Sequence, residues 1–156
     1  MKSLFLLFIA VALPAPSHAA ELGLNVYGLS YHFDRDKAKE IGTDNWFNPG
    51  LGVRWRPKDQ GIDWFVDAGA YHDSGRNTAV LAGVGAHWHA TEHLRLGAAL
   101  AFLHSKTYNE GESFVAPLPI AAYELRSVTL NMVYLPKISD LNRINTLGFW
   151  ATFWLK

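Results

Sequence analysis

Apolar residues recur at every second position in eight runs of about ten residues, and turn-forming residues separate the runs. The runs are Leu22–Phe33, Pro49–Arg56, Ile62–Asp73, Thr78–His89, Leu94–Ser105, Val115–Tyr123, Val128–Pro136 and Asn145–Leu155. Period two is the repeat of a strand, so almost nothing after Ala20 reads as helix. The odd-numbered connections lie at Asp34–Asn48, Ser74–Asn77, Lys106–Phe114 and Lys137–Ile144, and the even ones (Pro57–Gly61, Ala90–His93, Glu124–Ser127) are tight. Eight strands with alternating long and short connections predict an all-β fold, an eight-stranded antiparallel transmembrane β-barrel.

The strand faces point the same way. Ile62, Trp64, Val66, Ala68 and Ala70 share one face, as do Val80, Ala82, Val84, Ala86 and Trp88, and Leu94, Leu96, Ala98, Leu100 and Phe102. Such stripes suit lipid, with aromatics near their ends. A soluble lipocalin-like barrel needs more charge on its outer face. The last run, Leu147 to Leu155, has the aromatic alternation of barrel C-termini but ends in Lys156. Lys2, the apolar Leu4–Leu13 and Ser17-His18-Ala19 form a secretory signal, so residues 1–19 are expected to be removed and residues 20–156 to form the barrel. Without cysteine there is no disulfide or thiol chemistry, and a formal charge of zero provides no field for nucleic acid.

With the N-terminus in the periplasm, the opposite faces line a lumen of two halves. The periplasmic half holds Arg54, Arg56, Asp63, Asp67, His87, His89 and Arg95, which can pair and plug it. The outer half holds Gly50, Gly52, Gly69, Tyr71, Ala79, Leu81, Gly83, Ala99, Ala101 and Leu103. A channel requires polar lining throughout. This lining describes an apolar well suited to an acyl chain. His87-x-His89, with His93 nearby, has the alternation of a metal pair, but its place at the periplasmic end makes it part of the plug, and no metal is expected.

Between the third and fourth runs, Tyr71-His72-Asp73-Ser74-Gly75-Arg76 breaks the apolar pattern and brings a histidine, an acid and a hydroxyl to the outer rim. Together with Ser30-Tyr31-His32, Leu81-Ala82-Gly83-Val84-Gly85 and the stretch Pro119 to Pro136, it resembles the outer-membrane lipid A palmitoyltransferases (the PagP family) from about Val26 to the C-terminus. The resemblance implies transfer of a palmitoyl chain from a phospholipid donor to a lipid A acceptor in the outer membrane, by a monomer with no cofactor. It implies His32, Asp73 and Ser74 as catalytic, and the topology brings all three to one rim. His32 is the natural base or acid, Ser74 the candidate hydroxyl, and Asp73 the group that orients or charge-stabilises the imidazole.

Gly85 matches the floor of the family's acyl well. From Thr78 to Gly85 a strand descends roughly 23 Å along its axis, or ~18 Å vertically, close to a sixteen-carbon chain. Pro119 and Pro136 match prolines flanking a lateral gap between the sixth and seventh strands, because proline donates no ladder hydrogen bond. The family's N-terminal amphipathic helix is missing, Tyr27 stands where the family has a proline, and Pro49 is offset from the other. The acceptor's route therefore stays open. Two further readings remain: a lipid A deacylase on a similar barrel, and a non-catalytic structural or adhesion barrel.

Overall fold

A computed structural model describes residues 20–57 and 62–155. The expected signal segment 1–19, most of the tight connection 57–61 and Lys156 lie outside the described residues. The strands are β1 (Ala20–His32), β2 (Phe47–Pro57), β3 (Asp63–His72), β4 (Thr78–His89), β5 (Leu94–His104), β6 (Phe114–Glu124), β7 (Val128–Leu135) and β8 (Thr146–Trp154). Each pairs antiparallel with the next, and β8 closes on β1. The sequence periodicity locates every strand to within a few residues. A short helix α1 (Arg35–Glu40), capped by the Asp34 side chain on the Lys37 amide, and a single turn at Asn109–Gly111 lie in loops at the end opposite the tight turns.

Alternation is kept on β3, β4 and β5, so the predicted stripes face outward. Val84, Leu100 and Leu130 each expose about half of their surface (49%, 52% and 50%), as no water-soluble domain of this size affords around its full girth. Trp64, Trp88, Tyr123 and Phe153 ring the turn end, and Tyr31, Phe33, Trp46, Phe47 and Phe102 ring the loop end. The band between them is the lipid-facing surface of a transmembrane barrel.

The turn half of the lumen is filled by charge that pairs within itself. Arg54, 2% exposed, grips Asp67 with two hydrogen bonds (Nε to Oδ1 at 2.8 Å, Nη2 to Oδ2 at 2.6 Å) and donates from Nη1 to Asn131 Oδ1 at 2.8 Å. Asn131 donates to Thr152, Thr152 to Asn25, and Asn25 back to Asp67. The ring thus ties β1, β2, β3, β7 and β8 across the barrel. Below it Arg56 joins Glu21 and Glu124, Arg95 joins Glu124, and His89 lies 2.7 Å from Asp63. His87 and His89 belong to this plug, His87 stacking on Phe65 at 4.9 Å.

A buried ion pair that loses one member leaves an uncompensated charge, which costs about 3–5 kcal/mol. Arg54→Ala is expected to lower barrel stability by that amount in urea unfolding from detergent or vesicles. The isosteric double change Arg54→Met with Asp67→Leu is expected to recover most of it. A single variant as stable as the wild type in the same unfolding curve contradicts this role for the pair.

Candidate functional site

His32 reaches the lumen because β1 is irregular. Glu21, Gly23, Asn25 and Tyr27 point inward, and strict alternation would continue with Leu29 and Tyr31, leaving His32 against lipid. Instead the register slips between Tyr27 and Leu29 against both neighbours: against β8 Gly28 is an extra residue, and against β2 it stands opposite two residues, Asn48 and Pro49. Beyond this bulge Ser30 and His32 face in, and Leu29 and Tyr31 face out. Bulges re-aim side chains in this manner. His32 ends 7% exposed.

The loop 73–77 is organised by Asp73. Its fully buried carboxylate accepts from the Gly75 and Asn77 amides, each at 2.9 Å, and from the Ser105 hydroxyl. Its backbone exchanges hydrogen bonds with Asn77 and Arg76, and Arg76 takes a left-handed φ of 65°. The Arg76 guanidinium reaches Asp44 at 3.0 Å and holds that carboxyl below its usual range, pinning the loop to the first long loop. Ser105 in turn accepts from the Thr107 amide, so Asp73 also fixes the loop between β5 and β6. Among the described residues no hydrogen bond joins Asp73 to His32. Its observed contacts position Ser74 and the neighbouring loop rather than the imidazole.

Ser74, 3% exposed, is the hub. Its Oγ lies 3.1 Å from His32 Nε2 and 3.3 Å from Ser30 Oγ, and the Tyr108 side chain lines the same cavity. A neutral imidazole beside a serine hydroxyl can take its proton as the oxygen attacks a carbonyl. The sequence brought His32, Asp73 and Ser74 to one rim; the structure places His32 on Ser74 and Asp73 beneath the loop. Ser105 and Tyr108 were not found by sequence reasoning, since both sit in an irregular loop with no motif.

Ser74 stands at the mouth of an apolar well. Leu81 and Gly83 of β4, Ala99, Ala101 and Leu103 of β5, Leu118 and Ile120 of β6, and Val133 and Leu135 of β7 line it. Its lower end is Arg54, Asp67 and Phe65. The Phe65 ring lies 3.9 Å under the Arg54 guanidinium, a cation–π contact. Gly85 does not border the open space: a Cβ there would sit 2.3 Å from the Phe65 ring, which occupies the volume the glycine leaves. The free depth is therefore shorter than the drop from Thr78 to Gly85. Phe65 has the inward parity of Asp63 and Asp67, so its place was legible in the sequence.

Two seams in the wall are incomplete. Pairing of β6 with β7 stops at Ile120 and Val133, although β6 continues to Phe114 and β7 to Leu135. Pro119 is the first unpaired residue of β6, and Pro136 follows the end of β7. Pro117 stands two residues further up. The β5–β6 ladder runs unbroken through Leu100–Pro117 and Ala98–Pro119, so both proline nitrogens face the gap. On the other side, β1–β2 pairing skips Gly28, Asn48 and Pro49. Asn48 is buried against the well, and neither end of its amide has a hydrogen-bond partner among the described residues. Tyr27, Gly28, Leu29, Phe149 and Trp150 border both the well and an apolar groove on the lipid face.

No family model and no curated protein matches the chain. Solved structures share its fold. A barrel described as "De novo design of transmembrane beta-barrels" superposes with a TM-score of 0.55 at 12% identity, over 90% of this chain and 98% of that one. The designed TMB2.3 gives 0.56 at 15% identity, over 87% and 96%. Neisserial surface protein A gives 0.42 at 12% identity, over 88% and 96%. At their identities the two designed barrels show a likeness of fold alone, the transmembrane β-barrel.

Deleting Gly28 is expected to restore strict alternation and turn residue 32 to the lipid side while the lower barrel stays folded. With cysteine in place of His32, a lipid-soluble maleimide is expected to label the deletion variant many times faster than the protein with Gly28. Equal labelling rates contradict the bulge's role.

Proposed function

We propose that this chain is an outer-membrane acyltransferase, moving a palmitoyl chain from a glycerophospholipid to a hydroxyl of lipid A, with the Ser74 rim in the outer leaflet. The observation that carries the reading is the Ser74–His32 pair at the mouth of an apolar, dead-ended well. A pair in hydrogen-bonding contact supplies nucleophile and base. A well closed by the Arg54–Asp67 plug holds an acyl chain and passes no solute. The proline-flanked gap between β6 and β7 supports lateral access, because a phospholipid can slide its chain sideways into the well from the membrane.

In this mechanism Ser74 Oγ attacks the ester carbonyl as His32 Nε2 takes its proton. The lysophospholipid leaves with that proton, and the acyl chain stays on Ser74 with its tail in the well. A lipid A hydroxyl then attacks the acyl carbonyl as His32 takes its proton, the bond to Ser74 Oγ breaks, and Ser74 recovers that proton from His32. The binding energy of the chain is spent on holding the ester at Ser74, so the depth of the well sets which chains react. Phe65, resting in the space over Gly85, sets that depth.

Ser74→Ala and His32→Ala are each expected to reduce transfer by 10³-fold or more in vesicles containing phospholipid and lipid A, with the heat-modifiable gel shift of the barrel intact. Mass spectrometry of lipid A is the readout. A gain of one acyl chain in cells carrying the protein supports the reading, whereas released fatty acid marks a deacylase and no change a non-catalytic barrel. Gly85→Met is expected to drive Phe65 up into the well and shift selection toward shorter chains, and Phe65→Ala to shift it toward longer ones. Each methylene excluded or admitted is worth about 0.8 kcal/mol, or roughly fourfold in competition. An unshifted chain preference in both variants places the floor elsewhere.

A further inference from the structure

The acyl-transfer reading above leaves one requirement unmet: a donor for the negative charge that develops on the ester oxygen. In many acyl-transfer sites backbone amides beside the nucleophile do this. Here the amides of Gly75 and Asn77 are taken by the Asp73 carboxylate, and that of Arg76 by the Asp73 carbonyl at 3.0 Å. Three of the loop's amides are thus held by Asp73. Around Ser74 Oγ stand the Ser30 hydroxyl at 3.3 Å, which also approaches the Asn45 carbonyl at 3.4 Å, and the Tyr108 side chain, which lines the same cavities.

We propose that the Tyr108 phenol, with the Ser30 hydroxyl beside it, is the oxyanion donor of this site, making Tyr108 a catalytic residue. Tyr108 lines both the acyl well and the rim cavity that contains His32 and Ser74, so its side chain borders the space where the reacting ester must sit. Burial and the nearby Asp73 carboxylate push the phenol well above its usual range, so it keeps its proton at any working pH. A donor of this kind should align on the position the oxyanion will occupy, not on the resting serine.

As the bond from Ser74 Oγ to the carbonyl carbon forms, the serine proton moves to His32 Nε2. The π pair of the carbonyl becomes the lone pair of an oxyanion, which Tyr108 and Ser30 hydrogen-bond. When the pair returns to carbon, the ester oxygen leaves as the lysolipid hydroxyl with the proton from His32.

The test is Tyr108→Phe, which removes one oxygen and keeps the ring. Transfer from phospholipid to lipid A in vesicles is expected to fall in kcat by about 10²–10³-fold, with KM changed little. Labelling of Ser74 by a long-chain alkyl fluorophosphonate, which builds the same charge, is expected to slow in parallel. If wild-type protein neither transfers nor hydrolyses acyl chains, the acyl-transfer reading itself falls. If wild-type protein is active and Tyr108→Phe keeps its kcat within about threefold, or changes KM alone, the assignment of Tyr108 falls and the reading stands. Should Tyr108→Phe fail to fold, fluorinated tyrosines at position 108 preserve the shape and change the acidity. The rate must then follow phenol acidity, and a rate indifferent to it overturns the proposal.

Discussion

The Arg54–Asp67 pair is the constraint on which the rest of the barrel depends. An eight-stranded barrel encloses just enough space for side chains, and that space must be filled or it collapses. A buried guanidinium cannot be left alone, so Arg54 recruits Asp67, Asn131 and, through the ring, Thr152 and Asn25. This fixes how β7 and β8 sit against β2 and β3, on opposite sides of the lumen. It also places a flat cation over the Phe65 ring. The well begins where the pairing ends.

Above that level the barrel relaxes its rules one at a time. β1 carries an extra residue, β6 carries two prolines, and the β1–β2 and β6–β7 ladders are interrupted. These irregularities surround the Ser74 mouth rather than being scattered along the strands. Three loops converge there, and Asp73 ties two of them together through Ser105 and Thr107. Local departures from regular structure near a site of chemistry are expected when the lower half supplies the stability.

Period two made the strands, the lipid-facing stripes and the charged plug readable before any coordinates, because one buried and one lipid-bathed face impose alternation. The same rule hid the bulge: Gly28 looks like any strand glycine, yet it decides which face His32 occupies. Asp73 was visible as an acid beside Ser74, but only the folded loop shows that its oxygens are engaged by amides and Ser105 rather than by His32. Phe65 followed the inward parity, and its role depended on Gly85 across the ladder, a pairing of strands no local pattern discloses. Tyr108 had no pattern to reveal it, since loop conformation follows from contacts made at long range.

The prolines of β6 have a second consequence, set by the solvent around them. In hydrocarbon an amide that loses its ladder partner finds no water to replace it, so prying apart two strands in a bilayer is costly for each N–H exposed. Pro117 and Pro119 have no N–H to expose. Where their nitrogens face β7, a parted seam strands fewer donors in oil than any other residues would leave there. A barrel wall that must swing open inside a membrane can do so at low cost only where its edge has been stripped of donors, and this stretch of β6 is such an edge.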